Sequence, residues 1–273
     1  MSKAYSLHLG LNSVSPAHYG GWSGDLVACE NDARDMADIA RKLKYSKRVV
    51  LMTKQATRNN LVKNLTSFAN KLNAGDYFLL TYSGHGSHLP DENNDEDDGQ
   101  DETWCLYDGE IIDDELYMLY SKFKAGVRIF VLSDSCHSGT VTRAAFMTQP
   151  GGLVTNKRER FMPLAIARKT YQKNKKFYDK ILKNKKLKEA ENKIKARLRL
   201  ISGCQDNQTS SDGDLNGLFT EKLLNVWNDG SFTGNYRKFY KRIINQMPPE
   251  QSPRHFIIGG KDTAWDKMKP FTY

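Results

Sequence analysis

Cysteine is scarce in this chain, and no two cysteines stand in a CxxC spacing. This argues against a zinc site built from paired thiolates. The first residues hold no long apolar run, so we expect neither a secretory signal nor a membrane-spanning segment. Without a secretory signal the thiols are expected to be reduced, as in a cytoplasmic protein with no membrane partner. The four cysteines are Cys29, Cys105, Cys136 and Cys204.

Positive charge is concentrated in one part of the sequence. The formal net charge of the whole chain is +9. Residues 157–199 hold 17 Lys or Arg against 4 Asp or Glu, and the remainder holds 24 basic and 28 acidic residues. The basicity therefore belongs to one segment, which argues against nucleic acid as a partner of the protein as a whole.

Apolar runs suited to buried strands alternate with segments of helical periodicity. This alternation predicts an α/β fold with a mainly parallel sheet and helices on both faces. The strand candidates are Tyr5–Leu9, Arg48–Met52, Tyr77–Tyr82, Val127–Leu132, Leu198–Ser202 and Phe256–Ile258.

Three amphipathic helices are predicted between these strands. The first begins near Asn31 or Asp32, either of which is a credible N-cap. The second begins near Thr57, and the third follows Asp113 and Asp114.

The length of 273 residues, with 39% hydrophobic content, favours a single domain over residues 1–273. Residues 144–197 begin with a Pro/Gly loop, continue into a Lys-rich helical stretch and interrupt the α/β alternation. We interpret them as a linker inserted between a larger part, residues 1–143, and a smaller part, residues 198–273.

Two short loops at predicted strand ends carry groups suited to nucleophilic catalysis. His85 follows the Tyr77–Tyr82 strand in the sequence SGHGSH, and Cys136 follows the Val127–Leu132 strand in SDSCHSG. Functional groups of parallel sheets gather beyond the carboxyl ends of the strands. A thiol attacks a carbonyl only as thiolate, so an imidazole must take its proton. The sequence predicts His85 as base, Cys136 as nucleophile, and the backbone N–H of Gly86 as an oxyanion donor.

Each of these residues also has a plainer interpretation. A single His or Cys at a strand end usually has a structural role, and the pairing of two such loops is what makes the pattern specific. His88 lies three residues after His85 and allows a zinc hydrolase as an alternative, but no HExxH frame accompanies it. His137, next to the nucleophile on a tight turn, is a poor base.

Together these motifs resemble the caspase-like superfamily of cysteine proteases, and within it the metacaspases and their bacterial relatives, the orthocaspases. The resemblance covers nearly the whole chain and implies a caspase-like three-layer αβα sandwich with cysteine endopeptidase activity. The QACRG sequence of true caspases is absent, which points away from cleavage after Asp. Further stretches that carry the resemblance are residues 29–33, 98–102, 111–115 and 201–210.

The resemblance also implies a primary specificity pocket. Asp32 and Asp134 match the acids that line it, with Cys29 and Ser83 beside them. Two carboxylates near the nucleophile would favour an Arg or Lys side chain, so the expected substrates are proteins or peptides with basic residues. Asp32 could instead cap a helix, and Asp134 could instead orient His85 or its loop.

Calcium is a candidate activator, because metacaspases are often calcium-activated. Asp101, Asp113 and Asp114 match three acidic ligands of the family's site, and carboxylates are suited to Ca²⁺. The position of a fourth acid is occupied by Arg143, which brings a positive charge in place of a ligand. The resemblance therefore leaves calcium dependence open, and no other cofactor is expected.

The basic segment allows three interpretations. It could be a solvated charged helix, or it could dock an acidic partner through its aromatic residues, which could equally pack on the domain. It could also be a processing linker in which the protease cuts itself. The candidate processing residues are Arg143, Lys157, Arg158, Arg160, Arg168 and Lys169.

A binding protein is the main alternative to an enzyme: a signal-gated adaptor that keeps the fold with little intrinsic proteolysis. The presence of both catalytic residues and both pocket acids argues against it. We expect a monomer, although a strand near Phe256–Ile258 at a sheet edge leaves pairing with a second copy open.

Overall fold

The protein is described here by a computed structural model. The structure describes residues 2–90, 100–135, 158–187, 189–204 and 211–273. The predicted nucleophile and some of its companions fall outside these ranges: Cys136, His137, Arg143 and Lys157.

The strands lie close to where the apolar runs predicted them, with additional short strands between. In chain order they are β1 Ala4–Gly10, β2 Lys47–Met52, β3 Tyr77–Ser83, β4 Gly86–Pro90, β5 Gln100–Leu106, β6 Gly109–Ile112, β7 Arg128–Asp134, β8 Arg158–Glu159, β9 Arg197–Ser202, β10 Ser211–Asp212 and β11 Arg254–Ile258. The α-helices of the described residues are α1 Cys29–Lys42, α2 Arg58–Lys71, α3 Asp113–Tyr120, α4 Leu164–Lys173, α5 Lys175–Leu182, α6 Leu218–Trp227, α7 Tyr236–Ile244 and α8 Thr263–Lys267.

The central sheet has the strand order β11-β9-β7-β3-β1-β2. Every neighbouring pair in it is parallel except β11 with β9, which is antiparallel. Strands β4, β5 and β6 form a separate antiparallel sheet, and β8 pairs with β10. The carboxyl ends of β3 and β7 are neighbours in register, with Ser83 opposite Asp134, so the strand ends that lead into the two predicted loops are adjacent.

Alternate residues of the central strands supply two hydrophobic layers, because successive side chains point to opposite faces of a sheet. Leu80 and Val131 pack with residues of α2 and α3 on one face. Leu79 and Phe130 pack with residues of α1, α6 and α7 on the other. Helices therefore cover both faces, and the predicted α/β fold with a mainly parallel sheet is confirmed.

The predicted start of the first helix is wrong. Helix α1 begins at Cys29 with Ala28 as N-cap, and no side chain caps it. Asp32 lies one turn inside, fully buried, so its carboxylate is available for tertiary contacts. Thr57 does cap α2, since its side chain accepts a hydrogen bond from the Asn60 N–H at 3.2 Å.

The basic segment packs on the body of the protein through its aromatic residues. Tyr178 is fully buried, with its hydroxyl 2.7 Å from Nε2 of His18 and 3.2 Å from the donating N–H of Glu110. Lys175 at the start of α5 and Lys183 just after its end are exposed and pair with Asp179. A fully solvated helix therefore does not describe this segment. No helix within the described ranges is both long and apolar enough to cross a membrane.

Candidate active site

His85 sits just beyond the end of β3, and one hydrogen bond fixes its orientation. Its Nε2 lies 2.9 Å from the carbonyl oxygen of Gly24. A carbonyl only accepts, so Nε2 carries the proton and Nδ1 holds the lone pair. Nδ1 is buried and has no hydrogen-bond partner among the described residues. Burial lowers the pKa of His85 to about 4, so the imidazole is neutral at pH 7 and Nδ1 can accept a proton.

Two neighbours hold this ring in place. The Trp22 ring centroid lies 4.7 Å from that of His85. Gly24 has φ of +56°, and a Cβ there would lie 3.0 Å from Cδ2 of His85 and 2.7 Å from the Trp22 ring. Glycine is therefore required at this position both for its backbone conformation and for its close approach.

The guanidinium of Arg160 is buried among three carboxylates beside this histidine loop. Nη2 lies 2.8 Å from Oδ2 of Asp32 and 2.9 Å from Oδ1 of Asp212, and Nη1 lies 3.0 Å from Oδ2 of Asp134. The Arg160 side chain is 0% exposed. The two predicted pocket acids are thus brought together around a basic side chain of the same chain. Because the acids outnumber the guanidinium, the pocket has an excess of negative charge.

Asp32 is held by neutral donors as well as by Arg160. Its oxygens accept from Ser83 Oγ at 2.7 Å, from Asn216 Nδ2 at 3.0 Å and from the Gly217 N–H at 3.0 Å. Gly217 is the N-cap residue of α6, so the carboxylate lies at the positive end of a helix. Burial raises the pKa of Asp32 to about 6, against the pull of Arg160. The group is therefore a carboxylate at neutral pH.

Asp134 also lies at the N-terminus of α6. Its Oδ2 accepts from the N–H and the hydroxyl of Thr220, at 3.1 and 2.8 Å. These hydrogen bonds and the ion pair to Arg160 hold the Asp134 carboxylate in the pocket. Its backbone carbonyl accepts from the Gly84 N–H at 3.4 Å, so Asp134 also contacts the loop of His85. Burial alone would lower the pKa of Arg160. The nearby carboxylates, Asp134 first among them, outweigh burial and raise the arginine pKa well above its ordinary value.

The two predicted neighbours of the pocket acids have different roles. Ser83 donates to Asp32 and accepts from Nη1 of Arg160 at 2.8 Å. Cys29 is fully buried, and burial raises the pKa of its thiol to about 12. Cys29 therefore stays a neutral thiol and is unsuited to act as a nucleophile.

Gly86 directs its backbone N–H at a peptide carbonyl. The N–H donates to the carbonyl oxygen of Arg160 at 2.9 Å, and the Gly86 carbonyl accepts from the Met162 N–H at 2.9 Å. The predicted oxyanion donor is thus paired with the backbone of the same residue whose side chain fills the acidic pocket.

Sequence reasoning missed the third acid and the amides of the smaller part. Asp212 lies in β10, and its Oδ2 also accepts from the Val27 N–H at 2.8 Å. Nothing in the sequence separates Asp212 from Asp214, which is exposed. Asn216 and Gly217 were missed for the same reason: their role depends on how α6 packs against α1.

The candidate processing residues that the structure describes lie in different environments. Arg158 is exposed in β8, and Arg168 and Lys169 are exposed on helix α4. Arg160 is the fully buried one among these four.

The described residues do not assemble a metal site. No group of three or more His, Cys, Asp or Glu side chains within them could hold a metal ion. Asp101 lies in β5, and Asp113 and Asp114 begin α3. Within the described ranges, neither the predicted calcium ligands nor His85 with His88 form a group of three or more side chains that could hold a metal ion.

The sequence matches the caspase domain family over residues 14–267. The protein therefore belongs to the caspase-domain family of cysteine peptidases, whose substrates are proteins. It is 26% identical over 276 residues to Metacaspase-1 of Pyricularia oryzae, covering 90% of this chain and 67% of that protein. It is 29% identical over 252 residues to Metacaspase-1 of Schizosaccharomyces pombe, covering 81% of this chain and 58% of that protein. The alignments thus span about two thirds or less of the length of these fungal relatives.

A solved structure is more similar. The crystal structure of a protein from Geobacter sulfurreducens superposes with a TM-score of 0.88 at 52% identity, covering 99% of this chain and 98% of that one. Its similarity supports the caspase-like fold over the full length.

Proposed function

We propose that this protein is a cysteine endopeptidase that cleaves after Arg or Lys, with Cys136 as nucleophile and His85 as base. The observation that carries the proposal is the burial of the Arg160 guanidinium among Asp32, Asp134 and Asp212. A pocket that holds an arginine side chain in this chain has the size and charge to take one from a substrate.

The pocket acids are held independently of the arginine, which supports a preformed binding site. Ser83, Asn216 and Gly217 donate to Asp32, and Thr220 donates to Asp134. The carboxylates therefore keep hydrogen-bond partners when the guanidinium is absent. A substrate Asp side chain would meet three like charges in a site shielded from water and would be rejected.

The chemistry follows from the state of His85. Nδ1 is the unprotonated nitrogen and accepts the proton of the Cys136 thiol, after which the thiolate attacks the substrate carbonyl carbon. The Gly86 N–H stabilises the oxyanion, as its hydrogen bond to a peptide carbonyl in this structure supports. His85 then gives its proton to the leaving amine, and water hydrolyses the acyl-enzyme.

Self-processing within the basic segment belongs to the same proposal, since a peptidase selective for basic residues meets Lys and Arg side chains of its own chain there. Calcium activation stays a prediction from the resemblance. The assays are therefore run both with calcium and with a chelator, because the described residues do not bring the predicted calcium ligands together.

The test is a comparison of matched peptides. Wild type and Cys136→Ala are incubated with reporter peptides that differ only in having Arg, Lys or Asp before the cut, with calcium and with a chelator. We expect cleavage after Arg and Lys by wild type alone. Failure to cut any basic peptide under all conditions would favour the adaptor protein, whereas equal cleavage by Cys136→Ala would remove the nucleophile.

A further inference from the structure

We propose that the Arg160–Phe161 peptide bond is the first self-cleavage site of this chain, and that Arg160 closes the specificity pocket until that bond is cut. The inference rests on the proposed function and adds the substrate bond to it. Two features of Arg160 support it: the position of its guanidinium and the hydrogen bonding of its backbone carbonyl.

Two separate requirements of a scissile residue meet in Arg160. Its side chain occupies the acidic pocket, where Asp32, Asp134 and Asp212 bind the guanidinium. Its carbonyl oxygen accepts the Gly86 N–H at 2.9 Å, which is where an oxyanion would form if this carbonyl were attacked. This hydrogen bond is one of the two that form the parallel bridge between Gly86 and Phe161, and it places the Arg160 carbonyl oxygen at the predicted oxyanion donor.

The chain on either side of the bond is held in extended form. Before the bond, Arg158–Glu159 pairs with Ser211–Asp212 as an antiparallel ladder. After it, Phe161 forms a parallel bridge with Gly86 and is buried. Extended peptides bind in this way, by adding a strand whose side chains enter pockets. The segment therefore occupies the site as a substrate would.

The other described candidates lack these features. Arg158 is exposed and lies in the β8–β10 ladder with its side chain outside the pocket. Arg168 and Lys169 lie inside helix α4, and a helical backbone cannot enter a site as an extended strand without unfolding. Among the described candidates, Arg160 is the residue that the pocket already holds.

Glycine at position 217 makes room for this arginine. A Cβ on Gly217 would lie 2.4 Å from Nη1 of Arg160, although the backbone there has an ordinary negative φ. The fit between the pocket wall and a guanidinium is thus close, and the same space would receive the arginine of an external substrate once Arg160 leaves.

The cleavage step is ordinary peptide hydrolysis. The thiolate of Cys136 bonds to the Arg160 carbonyl carbon, and the bond from that carbon to the Phe161 nitrogen breaks as His85 protonates the leaving amine. Water then attacks the thioester. The products are a carboxylate on Arg160, a new amino terminus at Phe161 and the regenerated thiol. The cut releases Arg160 from its tether to Phe161, so the arginine can leave the pocket.

The experiment follows the intact protein over time. Purified wild type and Cys136→Ala are sampled by intact mass and amino-terminal sequencing at several protein concentrations, with calcium and with a chelator, beside hydrolysis of an Arg reporter peptide. We expect a first cut that gives an amino terminus at Phe161, at a rate independent of concentration because the bond lies in the chain's own site. Reporter hydrolysis should rise in step with the cut fraction, and Cys136→Ala should stay intact.

Two variants separate closure from cleavage. Arg160→Gln should hydrolyse the reporter without a lag, whereas Arg158→Gln should keep the wild-type lag. Arg160→Lys keeps the positive charge, so it should fold and should still be cut before Phe161. It tests the cleavage site if Arg160→Gln does not fold.

Failure of the inference and failure of the proposed function give different results. Reporter hydrolysis by a chain that stays intact between Arg160 and Phe161, or that is cut first at another residue, overturns the inference and leaves the function standing. An intact chain that never hydrolyses the reporter overturns the function, and self-cleavage with it.

Discussion

Asp32 and Asp212 contact the same nitrogen of one guanidinium, at 2.8 and 2.9 Å from Nη2 of Arg160. Asp32 comes from the larger part of the chain and Asp212 from the smaller part, so the pocket is complete only when α1 and β10 pack together. Asp212 should therefore contribute to selection of basic residues as much as Asp32 does.

The first prediction concerns this third acid. In fully processed protein, Asp212→Asn should lower kcat/KM for an Arg peptide about tenfold, since a hydrogen bond to a charged group contributes roughly 1.5–3 kcal/mol. Steady-state kinetics with Arg and Lys peptides measure it, and Asp214→Asn is the matched control on the same loop. Equal losses in the two variants would mean that Asp212 does not touch the substrate.

The second prediction tests whether the pocket can bind another guanidinium in place of that of Arg160, or whether Arg160 belongs to a permanent ion cluster. Arg160→Ala should lower the free energy of unfolding by about 3–5 kcal/mol, because it leaves buried carboxylates without their cation. Agmatine, which carries a free guanidinium, should raise the thermal midpoint of Arg160→Ala but not that of wild type.

Differential scanning fluorimetry with an agmatine titration measures this difference. Arg158→Ala, which removes an exposed arginine from the same segment, should stay within about 0.5 kcal/mol of wild type and should not respond to agmatine. If agmatine leaves Arg160→Ala unchanged while that variant is folded, the pocket does not exchange its guanidinium.

The third prediction uses the close approach of Gly217. Gly217→Ala puts a Cβ too close to Nη1 of Arg160, so it should destabilise the uncut protein by about 1–3 kcal/mol and reduce binding of Arg substrates. Chemical denaturation and KM for an Arg peptide report the two effects. Gly260→Ala is the control, because a Cβ there meets nothing within 4 Å. The same result for both variants would contradict the close fit.

The fourth prediction concerns stability and pH. Burial raises the pKa of Glu110 from 4.5 to about 7, while the Thr103 hydroxyl donates to it at 2.9 Å. Between these two pKa values the Glu110 carboxyl is protonated in the folded state but ionised in the unfolded state. The contribution of Glu110 to the free energy of unfolding is therefore fully present below pH 4.5 and is lost as the pH rises through 7. Between pH 5 and 8, the free energy of unfolding of wild type should fall by up to about 3 kcal/mol relative to that of Glu110→Gln.

Urea unfolding of both proteins at several pH values measures that difference. Comparison with Glu110→Gln at each pH cancels the contributions of the buried histidines, whose lowered pKa values act in the opposite direction. Parallel stability curves for the two proteins would show that Glu110 does not titrate in this range.

Much of the fold could be predicted from the sequence because the sheet is buried on both faces. Each central strand is then a short apolar run, and Tyr77–Ser83, buried at every position, is the clearest case. The start of α1 could not be predicted, because the better capping residues Asn31 and Asp32 lie inside the helix. Asp32 makes tertiary hydrogen bonds there with Ser83 and Gly217.

The strand-end rule for parallel sheets located the histidine loop, since His85 lies two residues beyond β3. Asp32, inside α1, and Asp134, the last residue of β7, were assigned to the pocket only through the family resemblance. Asp212 reaches the pocket through a two-residue strand that pairs with Arg158–Glu159. Neither the length nor the composition of these segments indicates that pairing, and the position of Arg160 depends on it.

The most direct test of selection for positive charge is a comparison of two peptides that differ by arginine and its neutral isostere citrulline before the cut. With processed wild-type protein, we predict that kcat/KM for the citrulline peptide is at least about a hundredfold lower, because the carboxylates lose their charged partner. Cys136→Ala should cut neither peptide. Equal rates on the two peptides would contradict the assignment of Asp32, Asp134 and Asp212 as the specificity pocket.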